Sequence, residues 1–149
     1  MAKFKYRMQS ILNIKEKLED QAKNDFSRAR LHLDEETDKL QALEKRKEDY
    51  VEEGRRIRKD AINIKDLENN DYAIEKMDEY ILRQQEQVKR AERELENARI
   101  KLTEAMQETK IQNKLKEKAF EDFKKELNAA ESKEVDELTS YTYGQKKGE

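Results

Sequence analysis

The sequence has no cysteine, no proline and no tryptophan, a single histidine, and three glycines in 149 residues. Without cysteine there is no disulfide, no thiolate nucleophile and no redox role, and an intracellular address is allowed. Zinc lacks its usual ligands where cysteine is absent and His32 stands alone. There is no GxxxxGK[ST] loop to cradle a phosphate. No stretch approaches the ~20 consecutive apolar residues that cross a bilayer, and the N-terminus has no apolar run of the kind a signal peptide needs. Charge of one sign is also missing: 33 basic and 35 acidic residues are closely mixed, so there is no general nucleic-acid footprint. Carboxylate pairs such as Glu35 with Glu36 are expected by chance among 35 acids, and a thin helical pair offers no cleft between them. His32, beside Arg28, Glu35 and Glu36 in helical space, reads as a surface side chain rather than a general base. The cationic run Arg55, Arg56, Arg58, Lys59 reads as a solvated helix face. No catalytic residue, metal site or cofactor site emerges, so the chain reads as a binding or mechanical part and not an enzyme.

What is present is charge and period. With 46% charged and 34% hydrophobic residues, the choice lies between disorder and long helices that each bury one narrow stripe. The spacing favours helices. A first seam runs through Met8, Ile11, Lys15, Leu18, Ala22, Phe26, Ala29, Leu33, Glu36, Leu40, Leu43, Lys47, Tyr50, Gly54 and Ile57. A second runs from Met77 through Ile81, Gln84, Val88, Ala91, Leu95, Ala98, Leu102, Ala105, Thr109, Gln112, Lys116, Phe120, Phe123 and Leu127 to Ala130. Steps of three and four alternate, the rhythm of a coiled coil. Each seam is read with one break, Leu18 to Ala22 to Phe26 and Gln112 to Lys116 to Phe120, where two fours follow one another. Lys15, Glu36 and Lys47 weaken the first seam, although lysine stems can cover apolar surface.

The expected fold is all-α, a long two-helix antiparallel coiled-coil hairpin forming one domain over residues 1–149. Helix one is expected at about 4–58, a connector at about 59–71, helix two at about 72–139, and a frayed tail at 140–149. Asp66, Asn70 or Asp71 could cap helix two. With the centre near residue 67 or 68, residue i faces roughly residue 135 minus i, so the two breaks would lie opposite each other and remain in phase. Ala91, Ala98 and Ala105 would let the backbones approach closely, and Leu102 would insert near Leu33. The unequal arms imply a C-terminal overhang. An oligomer through the same seams is the rival architecture. Phe4, Tyr6, Tyr50, Tyr72 and Tyr80 finish the ends of a thin core, and any left exposed beside Leu67 and Met77 would form a docking patch.

The opening FKYRMQSILNIKEKLEDQAKNDFSRA, with Phe4, Tyr6, Met8, Ile11, Leu12, Leu18, Glu19, Ala22 and Ala29, resembles the start of the FliJ family of flagellar export proteins. DLENNDYAIEKMDEYI resembles that family's second helix start through Leu67, Asn69 or Asn70, Tyr72 and Met77. It departs from the family at Asn69, where an aromatic is more usual, and at Ala73, where a branched apolar residue is. The resemblance implies a non-enzymatic part of the flagellar type III export apparatus, coupling the hexameric export ATPase to the membrane export-gate protein and escorting export chaperones. It implies a cytoplasmic location, peripheral to the inner face of the cell membrane. Gate contacts carry over to Tyr72, Met77 and Tyr50 with Leu67 beside them, and ATPase contacts to Phe4, Tyr6, Arg7 and Ile11. A self-associating structural coiled coil and a secretion-system substrate chaperone are the alternatives.

Overall fold

The computed structural model describes residues 2–59 and 61–147, with side chains as far as 144. It is all-α: α1 spans Gln9–Lys59 and α2 spans Ile64–Lys147, paired as a two-helix antiparallel coiled-coil hairpin. The chain divides into two compact units, Met1–Glu19 with Glu104–Glu149, and Asp20–Thr103.

The helix ends differ from the expected ones. Residues 2–6 are not helical, and α1 begins after a turn in which the Gln9 amide donates to the Tyr6 carbonyl. The cause is Phe4, whose ring lies 5.2 Å from Phe120 and 5.5 Å from Phe123, so the segment leaves the helix path to pack on α2. At the other end of α1, Arg56, Arg58 and Lys59 occupy the last turn, where cations complement the carbonyl end of the helix dipole. The connector is far shorter than 59–71; Asp60 lies outside the described residues, and α2 already starts at Ile64. Asn63 is the cap: its Oδ1 accepts from the Lys65 amide at 3.1 Å and its carbonyl from the Leu67 amide at 3.1 Å. Asp66, one of the expected caps, instead places a carboxylate in the first turn. Asn63→Ala is expected to lower unfolding free energy by ~1 kcal/mol in urea titration, and a change below ~0.3 kcal/mol would show that the cap contributes nothing. Of the expected frayed tail, residues 140–147 continue α2 and the last two lie outside the described residues. A helical glycine costs only ~1 kcal/mol, and without proline Gly144 alone does not stop the helix.

Both seams are regular, which removes the two expected breaks. Along α1 the covered positions are Leu12, Lys15, Glu19, Ala22, Phe26, Ala29 and onward to Ile57, in unbroken alternation of threes and fours. Along α2 they run from Leu67 through Asn70, Ile74 and Met77 to Gln112, Lys116, Ala119 and Phe123 in the same way. Glu19 therefore takes the place expected for Leu18, and Ala119 that of Phe120. Leu127 and Ala130, expected in the seam, are exposed, as is every described residue from Lys124 to Gly144. The overhang lacks a facing helix because the N-terminal segment reaches only as far as Phe123.

The register differs too. Within residues 20–103, Glu36 pairs with Gln84, Lys47 with Asp78 and Tyr50 with Asn70. Within the other unit, Tyr6 pairs with Gln112 and Lys15 with Glu108. Paired numbers add to between 118 and 125, not 135, because α1 ends at Lys59 and α2 starts at Ile64. Leu33 thus stands level with Val88 and Ala91, about three turns from Leu102. Ala91 is fully buried, and Ala22 and Ala98 line one groove, so the alanines do sit where the helices come close, but against different partners.

Candidate interaction surfaces

In the unit formed by residues 20–103, the α1 and α2 segments nearest the connector hold the expected gate-contact residues, and the structure separates them. Tyr50 is half-buried, and its carbonyl accepts a hydrogen bond from Asn70 Nδ2 at 2.8 Å. Leu67 is half-buried, where α2 first meets the seam. Met77 is 6% exposed and belongs to the core. Tyr72 is 61% exposed, about 140° around α2 from Met77, with Lys76 Nζ 5.6 Å from its ring centroid. Glu79, bonded to Lys76, raises the pKa of that ammonium above its ordinary value, and the Tyr72 hydroxyl adds to the effect less strongly, so Lys76 stays charged beside the ring. Tyr80 is also exposed.

Beside Tyr72 this end carries an apolar tip. Ile62 and Ile64, at the connector and the first turn of α2, are 60% and 70% exposed. The signal was their presence in a turn that water alone would fill with polar residues. Together with Tyr72 they make this end more apolar than its solvation requires.

The seam beneath is held by polar side chains. Gln84 Nε2 donates to the Glu36 carbonyl at 2.9 Å and to Glu36 Oε2 at 2.6 Å, and Lys39 Nζ reaches Glu36 Oε1 at 3.2 Å. The Gln84 bond, then the Lys39 bond, hold the Glu36 carboxyl below its ordinary pKa, so it is an anion at neutral pH. Lys47 pairs with Asp78 at 2.5 Å. Each polar residue that weakens the first seam on paper has a partner on the other helix, Lys15 included, through Glu108 at 2.7 Å. These are register markers more than sources of affinity for a partner. The cationic run at the end of α1 is also engaged: Arg55 pairs with Glu52 and Arg58 with Asp71.

In the unit that joins residues 1–19 to 104–149, the expected ATPase-contact residues divide in the same way. Phe4 is half-buried against Phe120 and Phe123, and the Tyr6 hydroxyl donates to Gln112 Oε1 at 3.3 Å, so both serve chiefly to pin the N-terminal segment. Arg7 is exposed, and Ile11 is 40% exposed. Thr109, buried between the helices, lies within hydrogen-bond reach of the carbonyls of Ala105 and Lys15. Among the described residues no group of His, Asp and Glu could hold a metal ion, and no helix is long and apolar enough to cross a membrane.

The fold has a solved counterpart. CT670 from Chlamydia trachomatis, a proposed YscO homologue, superposes with a TM-score of 0.76 at 23% sequence identity, over 99% of each chain. At that identity the likeness concerns the fold. No curated protein matches the chain. The sequence profile of the flagellar FliJ protein family matches residues 4–148. Proteins of that family are non-enzymatic and work in flagellar and type III export. Over nearly its whole length, then, this chain belongs to the FliJ family.

Proposed function

We propose that this chain couples the hexameric flagellar export ATPase to the membrane export-gate protein and escorts export chaperones, working in the cytoplasm at the inner face of the cell membrane. The family match over residues 4–148 carries this reading. Its physical support is a division of labour: polar pairs fix the helices to one another, and apolar side chains are left exposed at the connector and beside the N-terminal segment. Gate contact is assigned to the connector, with Tyr72 as the aromatic anchor, Leu67 beside it, and Tyr50 and Met77 supporting the helices underneath. ATPase contact is assigned to Arg7 and Ile11, with Phe4 and Tyr6 holding the segment that presents them. The exposed aromatic ring offers a large contact area at small entropic loss.

Co-purification with the cognate ATPase and gate protein tests both assignments. Tyr72→Ala combined with Ile64→Asp is expected to reduce gate retention by roughly tenfold and leave ATPase retention unchanged. Arg7→Glu with Ile11→Asp is expected to do the reverse. If the wild-type chain retains neither protein and assembles into concentration-dependent oligomers, the structural coiled-coil alternative replaces this reading.

A further inference from the structure

The unit formed by residues 1–19 and 104–149 is inverted relative to an ordinary coiled coil. Its seam is largely polar, with Lys15, Glu19, Thr109, Gln112 and Lys116 at covered positions. Leu12 is buried in that seam, but five other large aliphatic side chains stand outside it: Ile11, Ile14, Leu18, Ile111 and Leu115 are each between 40% and 57% exposed. All five occupy one kind of position, the residue just before a seam residue, as Ile11 precedes Leu12 and Leu115 precedes Lys116. In an antiparallel pair those positions of both helices fall on the same flank, because like flanks meet. The Lys15–Glu108 bridge lies on this flank, since Glu108 also precedes a seam residue. Two stripes, one from each helix, therefore form a single apolar surface.

The surface is confined to this unit. At the equivalent positions within residues 20–103 the side chains are charged or amide, such as Asp25, Arg28, Arg83 and Arg90, with His32, Ala42, Ala73 and Tyr80 as the exceptions. A solvated flank needs no aliphatics, and here the seam, which would use them, holds only Leu12 and Phe123 as large apolar residues. Contiguous exposed aliphatics bordered by polar groups mark a surface that something else covers.

The border says what covers it. Arg7, Lys17, Lys114 and Lys118 flank the five aliphatics, and none of them forms an ion pair among the described residues. Of the carboxylates alongside, Glu108 is tied to Lys15, Glu104 stands at one end, and Glu121 and Asp122 stand at the other. A second copy meeting this flank with its own would bring the same four cations together, which disfavours self-association. We propose that this flank is a docking surface for an amphipathic helix of another protein, one whose apolar stripe is bordered by Asp and Glu. Such a helix would complete a three-helix layer, its aliphatics seated between the two stripes and its carboxylates meeting the four cations. The inference stands on this unit alone and holds whichever component supplies the helix.

The test uses the full chain and two fluorescent three-heptad peptides that share one Leu/Ile stripe, bordered in one by Glu and in the other by Lys. The Glu-bordered peptide is expected to bind roughly tenfold more tightly, and more weakly as salt rises. Ile14→Glu with Ile111→Glu should abolish that binding, while Leu31→Glu, an exposed aliphatic of the other unit, should leave it unchanged. Lys114→Glu with Lys118→Glu should reverse the preference toward the Lys-bordered peptide, and circular dichroism verifies that each variant keeps its helix content. Binding of neither peptide, equal binding of both, or binding indifferent to the isoleucine changes overturns the proposal. So does a dimer in sedimentation equilibrium, or adsorption to phosphatidylglycerol vesicles, that Ile14→Glu abolishes.

Discussion

Truncating Leu12 to alanine is expected to lower the unfolding free energy by ~2–4 kcal/mol, whereas truncating its neighbour Ile11 costs under about 1 kcal/mol. Leu12 is 2% exposed, the most deeply buried large side chain of the described residues, and Ile11 is 40% exposed. Removing a buried leucine forfeits its transfer free energy and leaves a cavity that a two-helix core cannot readily fill by collapsing. Ile11 already faces water, so its loss removes little contact. Urea titrations followed by circular dichroism at the helix band measure both. If Ile11→Ala proves the more damaging, the seam runs through Ile11 and Leu18 after all, and the N-terminal part of α1 is rotated from its place here by about one residue.

That pair of residues also shows how far the sequence could be read. Helix formation and the seam from Ala22 to Ile57 follow from spacing, because over that range the positions read as the seam, Glu36 and Lys47 included, are the covered ones. Antiparallel pairing does not follow from that spacing, which an oligomer would satisfy equally. In the terminal unit the positions read as the seam and the covered ones differ. Ile11, Leu18 and Phe120 are more hydrophobic than Leu12's seam companions, Glu19 and Ala119, so a reading by hydrophobicity follows the exposed flank and must insert a break to rejoin the seam at Ala22 and Phe123. The two apparent breaks, which would have set the hairpin register, come from mistaking a flank for a core. The connector was misplaced for a related reason. Asn69, Asn70 and Asp71 suggest a loop by local preference, but Asn70 is buried and bonded to the Tyr50 carbonyl, and a tertiary contact outweighs a few tenths of a kcal/mol of helix propensity. Among the contact candidates, Tyr72 is named by the family resemblance, while its exposure, the burial of Met77 and the inward packing of Phe4 depend on partners distant in the chain. One-dimensional periodicity carries no record of such partners.

The same asparagine leads to an unusual result for a helical glycine. Gly54→Ala in a helix interior normally gains ~0.5–1 kcal/mol from backbone entropy. Here it is expected to destabilise the protein by ~1–3 kcal/mol, since overpacking a filled site costs about that much beyond the entropic gain. A Cβ at residue 54 would stand 2.5 Å from Asn70 Oδ1 and 3.3 Å from its Cγ. The amide is 94% buried by its 6% exposure and is held by the 2.8 Å bond from Nδ2 to the Tyr50 carbonyl, so it cannot swing away without losing that bond. Its Oδ1 has no hydrogen-bond partner among the described residues and faces the hydrogen on the glycine Cα, a contact that only glycine permits. The cause can be isolated by a double-mutant cycle. In an Asn70→Ala background the obstructing amide is gone, and Gly54→Ala should become neutral or stabilising by up to ~1 kcal/mol. This reversal of sign is the decisive measurement: propensity alone predicts a gain in both backgrounds, and a general loss of helix packing predicts a loss in both. Only a direct conflict between residue 54 and the Asn70 carboxamide gives opposite signs, and it would mean that the helices are locked in register at the connector end by a fit between one missing side chain and one buried amide.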